Sequence, residues 1–170
     1  MSTFIETVQS RSDLIQEAFM QHIYLSFVAL AVGIAIALPL GILVARYRRI
    51  AEPVIGITAI FQTIPSLALF GFLVPLLGIG AKTALIALII YALLPIFRNT
   101  YNGISNIYES MIEAGRGMGM TKGQLLWQIE FPLALPFIMA GIRTATVLTV
   151  GIATLATFVG AGGLGDVIYR

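Results

Sequence analysis

No cysteine occurs among the 170 residues, which excludes disulfide frameworks, thiolate metal sites and cysteine nucleophiles together and leaves the redox compartment open. One histidine, His22, stands at the start of an apolar run. With no second histidine near it, a zinc-type site cannot be assembled there, and an interfacial position is the expected one. Charge is scarce too, at 11% of residues, less than a soluble domain needs to cover its surface. The formal net charge of +2 is too small to argue for nucleic acid. No G-x-x-x-x-G-K-S/T phosphate loop is present, so no nucleotide site of that kind is expected. No Ser, His and Asp are disposed as a hydrolase would use them, and the apolar runs contain neither Asp nor Glu. The first segment carries Glu6, Asp13 and Glu17 against Arg11 and so lacks the positive start of a secretory signal; no cleaved leader is expected.

What fills the chain instead is apolar: 58% of residues are hydrophobic and the mean hydropathy is +0.95. About 20 apolar residues cross a hydrocarbon core of about 30 Å. The sequence therefore predicts an all-α, polytopic transmembrane bundle forming one domain, with spans over residues 22–45, 54–77, 83–97 and 131–159. A kink is expected near Pro39 and Gly41 in the first span. The second contains Gln62-Thr63-Ile64-Pro65-Ser66 and Gly71, and should bend there. Disrupted helices at membrane depth commonly line a cavity, which makes Gln62, Thr63, Pro65 and Ser66 pathway candidates. Small polar residues also serve as helix contacts, so packing on the third span or on a partner copy is the other reading. Arg143 lies inside the fourth span, where an ionisable group is costly and is read as functional by default. Snorkelling to the interface is its bland alternative. The glycines from Gly160 to Gly165 predict a turn or loop at the membrane face.

Lys and Arg flanking the spans set orientation. Arg46, Arg48, Arg49, Arg98, Arg116 and Lys122 fall on one side, and Arg11, Lys82 and Arg170 on the other. That bias predicts an outside amino terminus and a cytoplasmic stretch at 98–130. Within this stretch Asn106/Glu109 and Thr121/Gln124 each fit a capping box, predicting short helices over 107–116 and 122–129, with Gly117, Gly119 and Gly123 around their junction. Ile107, Met111, Ala114 and Met118 form an apolar stripe opposite Glu109, Glu113 and Arg116. Periodicity alone leaves open whether that stripe lies on headgroups, on its own bundle or on a partner.

The spacing goes further. Glu113-Ala114-Gly115, three residues to Gly119, then nine to Ile129-Glu130-Phe131-Pro132 resembles the EAA signature of the permease subunits of ATP-binding-cassette importers. Gly115 stands where that pattern has a second alanine, and Phe131 where it has leucine. The resemblance implies the type I importer permease fold and a coupling helix, carried by Met111, Glu113, Ala114, Gly115, Met118 and Gly119, that docks in a groove of an ATPase. It also implies that ATP and Mg are bound by that partner, with no cofactor on this chain. Further implied partners are a second permease copy or paralogue, an extracellular substrate-binding protein and membrane lipid, in the plasma membrane of a prokaryote. Residues Gln62 to Leu69 and Gly160 to Gly165 resemble the osmoprotectant branch, which imports glycine betaine, carnitine and choline. Permeases for other trimethylammonium compounds such as ergothioneine look alike. A stand-alone channel or secondary transporter is the competing class. Members of the branch carry another span after the glycine-rich loop, so that span is expected to be missing or truncated after residue 170, and some members continue into a fused binding domain.

Overall fold

The computed structural model describes residues 11–169, in backbone only at residues 48–50 and 62. Glu6 and Arg170, and the side chains of Arg48, Arg49 and Gln62, therefore lie outside the described residues. Every regular element among the described residues is helical. Helix α1 spans Ser12–Arg46 and runs through Pro39 without interruption, starting ten residues before the predicted span. Helices α2 (Arg48–Thr63) and α3 (Ser66–Leu77) are a bent pair over the expected second span, and α4 covers Ala81–Ser105. Next come α5 (Glu109–Gly117) and α6 (Lys122–Leu125), then a π-turn at Leu126–Glu130 that leads into α7 (Phe131–Ala153). A 3-10 turn at Thr154–Val159 and a short α8 (Leu164–Tyr169) complete the described chain.

Small residues explain how the long helices meet. The buried face of α1 reads Ala18, His22, Leu25, Ser26, Ala29, Gly33, Ala37, Gly41 and Val44, a stripe recurring every three or four positions. Where lipid is as apolar as leucine, close backbone approach replaces hydrophobic burial as the source of helix contact. A Cβ at Gly33 would sit 2.9 Å from the Ala92 Cβ of α4, and one at Gly41 would sit 2.8 Å from the Thr100 Cβ. Likewise, a Cβ at Gly141 of α7 would lie 2.7 Å from the Asn99 Cβ and 2.9 Å from the Pro95 carbonyl oxygen of α4. Outward faces carry Phe27, Leu40, Ile60, Phe72, Leu76 and Val147, all exposed.

The contacts also fix which ends share a side. Arg46 meets Glu130, and Ile104 packs on Ala134 and Ile138, so α1 and α4 end where α7 begins. At the other end the His22 ring bonds the Val150 carbonyl, the Gly80 N–H donates to Val159, and the Gly163 N–H donates to Gln21. The two groups of basic residues separated by charge counting thus lie at opposite ends of the bundle, as far as the described residues go.

Helix limits differ from those expected. The helix that carries the expected third span continues past Phe97 to Ser105, because Thr100, Gly103 and Ile104 are buried, Gly103 and Ile104 against α7. The helix over 122–129 is not separate. Lys122–Val159 is one continuous helical run of 38 residues. Pro132 cannot donate to the carbonyl four residues back and its ring would strike it, and the widened π-turn just before it lets the chain pass without breaking.

Candidate functional site

The segment between α4 and α7 is a capped, folded unit. Asn106 does not open α5 as a capping box; it ends α4 instead, its N–H bonded to the Asn102 carbonyl. Tyr108 precedes α5 without a side-chain cap, leaving Glu109 in the first turn, where the helix dipole favours a carboxylate. The end of α5 is a Schellman turn: Met120 N–H bonds Gly115 C=O at 3.1 Å and Gly119 N–H bonds Arg116 C=O at 2.9 Å. Gly119 sits at φ +80, where a side chain would be strained. Thr121 and Gln124 then form the predicted capping box, with both reciprocal bonds present.

The two faces of α5 do different things. Ile112 and Gly115 turn inward, and a Cβ on Gly115 would lie 2.6 Å from Leu125 Cδ2 and 2.8 Å from Ile129 Cδ1. Gly115 is therefore small because α5 rests on the start of the α6–α7 run. Met111, Glu113, Ala114 and Met118 are exposed, Met118 by 70%. Ile107 precedes the helix, so the apolar stripe shortens to Met111, Ala114 and Met118, and it faces away from its own bundle. Trp127, 65% exposed beside Phe131, stands where the run enters the fold.

Charge counting did not anticipate the ion pair behind this unit. Arg46, on the last turn of α1, donates from its two terminal guanidinium nitrogens, Nη1 and Nη2, to the two Glu130 oxygens, at 2.9 and 2.5 Å. Glu130 is only 2% exposed. A groove of about 830 Å³ lies beside the pair, walled by Leu43, Tyr47, Ile112, Arg116 and Lys122 among others.

The α2–α3 pair breaks where Pro65 disfavours helical geometry in the residue before it. Ile64 is extended, and the axes of Ala51–Phe61 and Ser66–Leu77 differ by 92°. The freed Ile64 carbonyl accepts a hydrogen bond from the Tyr91 hydroxyl of α4 at 2.5 Å. No local sequence signal links these positions, 27 residues apart. Thr63 and Pro65 are exposed at the break, and the Thr63 hydroxyl returns to the Ile60 carbonyl. Ser66 is half-buried as the first residue of α3. Arg143 is not part of this cluster. It is exposed on α7, a helix that packs chiefly on α1 and α4. Among the described residues no three His, Asp or Glu side chains gather as metal ligands would.

A helical bundle with a sharply bent helix pair and a capped helical unit at one end is the architecture to compare. Residues 37–170 match the family described as the binding-protein-dependent transport system inner membrane component. The chain belongs to that family. Among curated relatives it is 46% identical over 169 residues to the glycine betaine/carnitine/choline transport system permease protein OpuCB of Bacillus subtilis, covering 99% of this chain and 76% of the relative. It is 50% identical over 150 residues to the carnitine transport permease protein OpuCB of Listeria monocytogenes, covering 88% and 69%. The choline transport system permease protein OpuBB of Bacillus subtilis is 48% identical over 149 residues, with the same coverage. Among solved structures, a chain of the inward-facing MetNI methionine ABC transporter superposes with a TM-score of 0.84 at 29% identity, over 94% of this chain and 81% of that one. This binding-protein-dependent permease thus has the type I importer fold and is a transport subunit of an ABC importer.

Proposed function

We propose that this permease imports quaternary-amine osmoprotectants of the glycine betaine, carnitine and choline class, driven by a separate ATPase that binds ATP and Mg. The observation that carries the coupling role is the outward stripe of Met111, Ala114 and Met118 beside Glu113, presented on a helix whose other face is fixed to α6 and whose end is locked by Gly119. Such a surface suits the groove of a partner, with Glu113 supplying a charge at its edge. The loop 98–130 faces the cytoplasm and the amino terminus faces outside, a reading supported by the sharing of one bundle end by Arg46, Arg116 and Lys122.

Two permeases, identical or paralogous, form the pathway, and an extracellular binding protein delivers the substrate. Closure of the ATPase pair draws the two coupling helices together, and the α6–α7 rods tilt with them. The assembly alternates between inward- and outward-facing states. The break at Thr63, Pro65 and Ser66, with Gln62 on the same turn, lines the route, and Arg143 faces the partner permease or the pathway from α7. The relatives named for betaine, carnitine and choline transport support the substrate class.

Capture tests the assignment: the tagged permease should retain its ATPase, and Glu113→Lys should release it while membrane insertion stays intact. Uptake of labelled glycine betaine, carnitine and choline into cells expressing the complete importer tests the substrate. Competition by ergothioneine alone would move the chain to a different trimethylammonium specificity.

A further inference from the structure

Arg46 and Glu130 stand apart from the surface just described, and nothing in the coupling loop's chemistry requires them. Glu130 is buried, its two oxygens are held by a two-pronged guanidinium, and it closes the π-turn at which the α6 direction passes into α7. Single π-turns inside helices recur at functional positions, and the planar fork of arginine fixes a carboxylate in orientation as well as distance. The load path is readable from the contacts. Helix α5 rests through Gly115 on Leu125 and Ile129, so a push on α5 reaches the α6–α7 rod at the π-turn. Leu38, Ile42 and Ala45 of α1 pack on the Ile104, Ala134 and Ile138 cluster, but between the last turn of α1 and the α5–α6 unit lies the groove of about 830 Å³. The ion pair crosses at its edge.

We infer that Arg46 and Glu130 are positioning residues that tie the inner end of the first span to the π-turn, so that displacement of the coupling helix moves α1 together with α7. This rests on the coupling role proposed for α5. A merely structural pair would contribute to stability and nothing else. Glu130 is buried while Arg46 is 38% exposed; replacing both partners together leaves no uncompensated buried charge, which separates the two roles.

The experiment compares wild type, Glu130→Gln and the double variant Arg46→Met with Glu130→Met. Each is assembled with its ATPase and binding protein in proteoliposomes and supplied with labelled glycine betaine, carnitine and choline. Substrate moved per ATP hydrolysed should fall about tenfold in the double variant, within the range seen for residues that carry coupling between sites. Its melting temperature and ATPase capture should stay at the wild-type level. An unchanged transport ratio in the double variant overturns the inference. Should neither variant assemble, spin labels at Tyr47 and Lys122 in the otherwise wild-type chain decide. A separation that is constant between the nucleotide-free and vanadate-trapped states supports the tie, and a change of more than about 5 Å, one helical turn, overturns it. A wild-type permease that captures no ATPase sinks the coupling role itself. One that couples normally, alongside an equally coupled double variant, sinks only this inference.

Discussion

Substitution at Gly115 separates the inner and outer faces of α5. An alanine there places its methyl 2.6 Å from Leu125 Cδ2, 2.8 Å from Ile129 Cδ1 and 3.3 Å from Met120 Sδ. The first two fall short of an ordinary 3.4 Å contact by about 0.8 and about 0.6 Å. All three neighbours are ends of flexible side chains, and rotamer adjustment costs about 0.5–1.5 kcal/mol. Alanine recovers about 1 kcal/mol of helix propensity over glycine, so Gly115→Ala should come out within about 1 kcal/mol of neutral. Isoleucine adds a branched side chain that Leu125 and Ile129 cannot clear, and overpacking of that kind costs about 1–3 kcal/mol. Helix α5 would have to lift off the α6–α7 run, carrying the proposed docking residues Met111 and Met118 with it. Thermal unfolding of the purified chain and ATPase capture would be read side by side. Gly115→Ala should keep both, and Gly115→Ile should lose capture with a lowered melting temperature. Ala114→Ile, on the outer face, should lose capture with no thermal change. Wild-type capture by Gly115→Ile, or thermal loss in Ala114→Ile, would refute the assignment of faces.

Tyr91→Phe removes the hydroxyl that satisfies the Ile64 carbonyl at the broken span, which should cost about 1–2 kcal/mol and lower uptake; a variant as stable and active as wild type would show that the break holds without it. Gly141→Ala drives a methyl into the Pro95 carbonyl and the Asn99 Cβ and should destabilise the α4–α7 crossing by about 1–3 kcal/mol. Gly151→Ala on the same helix meets nothing within 4 Å and should stabilise by about 0.5–1 kcal/mol. Detergent thermal shifts of opposite sign check that pair.

Local chemistry was legible in the sequence where one residue decides the geometry. Pro65 announced the break, the Thr121 and Gln124 pair announced a helix start, and the glycines after Val159 announced a turn, three of them at positive φ. Competing local signals were not. Asn106 fits a capping box as well as Thr121 does, but α4 extends to Ser105 and claims it as a terminus, a choice made by burial of Gly103 and Ile104 against α7. A helix over 122–129 and a separate span from Phe131 are the expectation from sequence, while the π-turn absorbs Pro132 and one helical run is already under way at Lys122. Contacts between distant positions left no trace. Tyr91 looks like one more apolar residue until the Ile64 carbonyl is placed beside it. Arg46 counts as an orientation signal and Glu130 is one residue of the signature stretch, and only the fold brings them into one ion pair across 84 residues. Gly115 shows the same limit. The resemblance puts it on a helix that docks in a partner's groove, and the helix turns it inward onto Leu125.

The natural absence of cysteine permits a direct test of the coupling surface. Single thiols introduced as Met111→Cys, Met118→Cys and, at the opposite end of the bundle, Leu76→Cys would be joined to the ATPase by a short bifunctional reagent in native membranes. Adducts should form from the first two positions and none from the third. Labelling of Met111→Cys or Met118→Cys by a membrane-impermeant thiol reagent added outside intact cells, with no ATPase adduct, would contradict the coupling role.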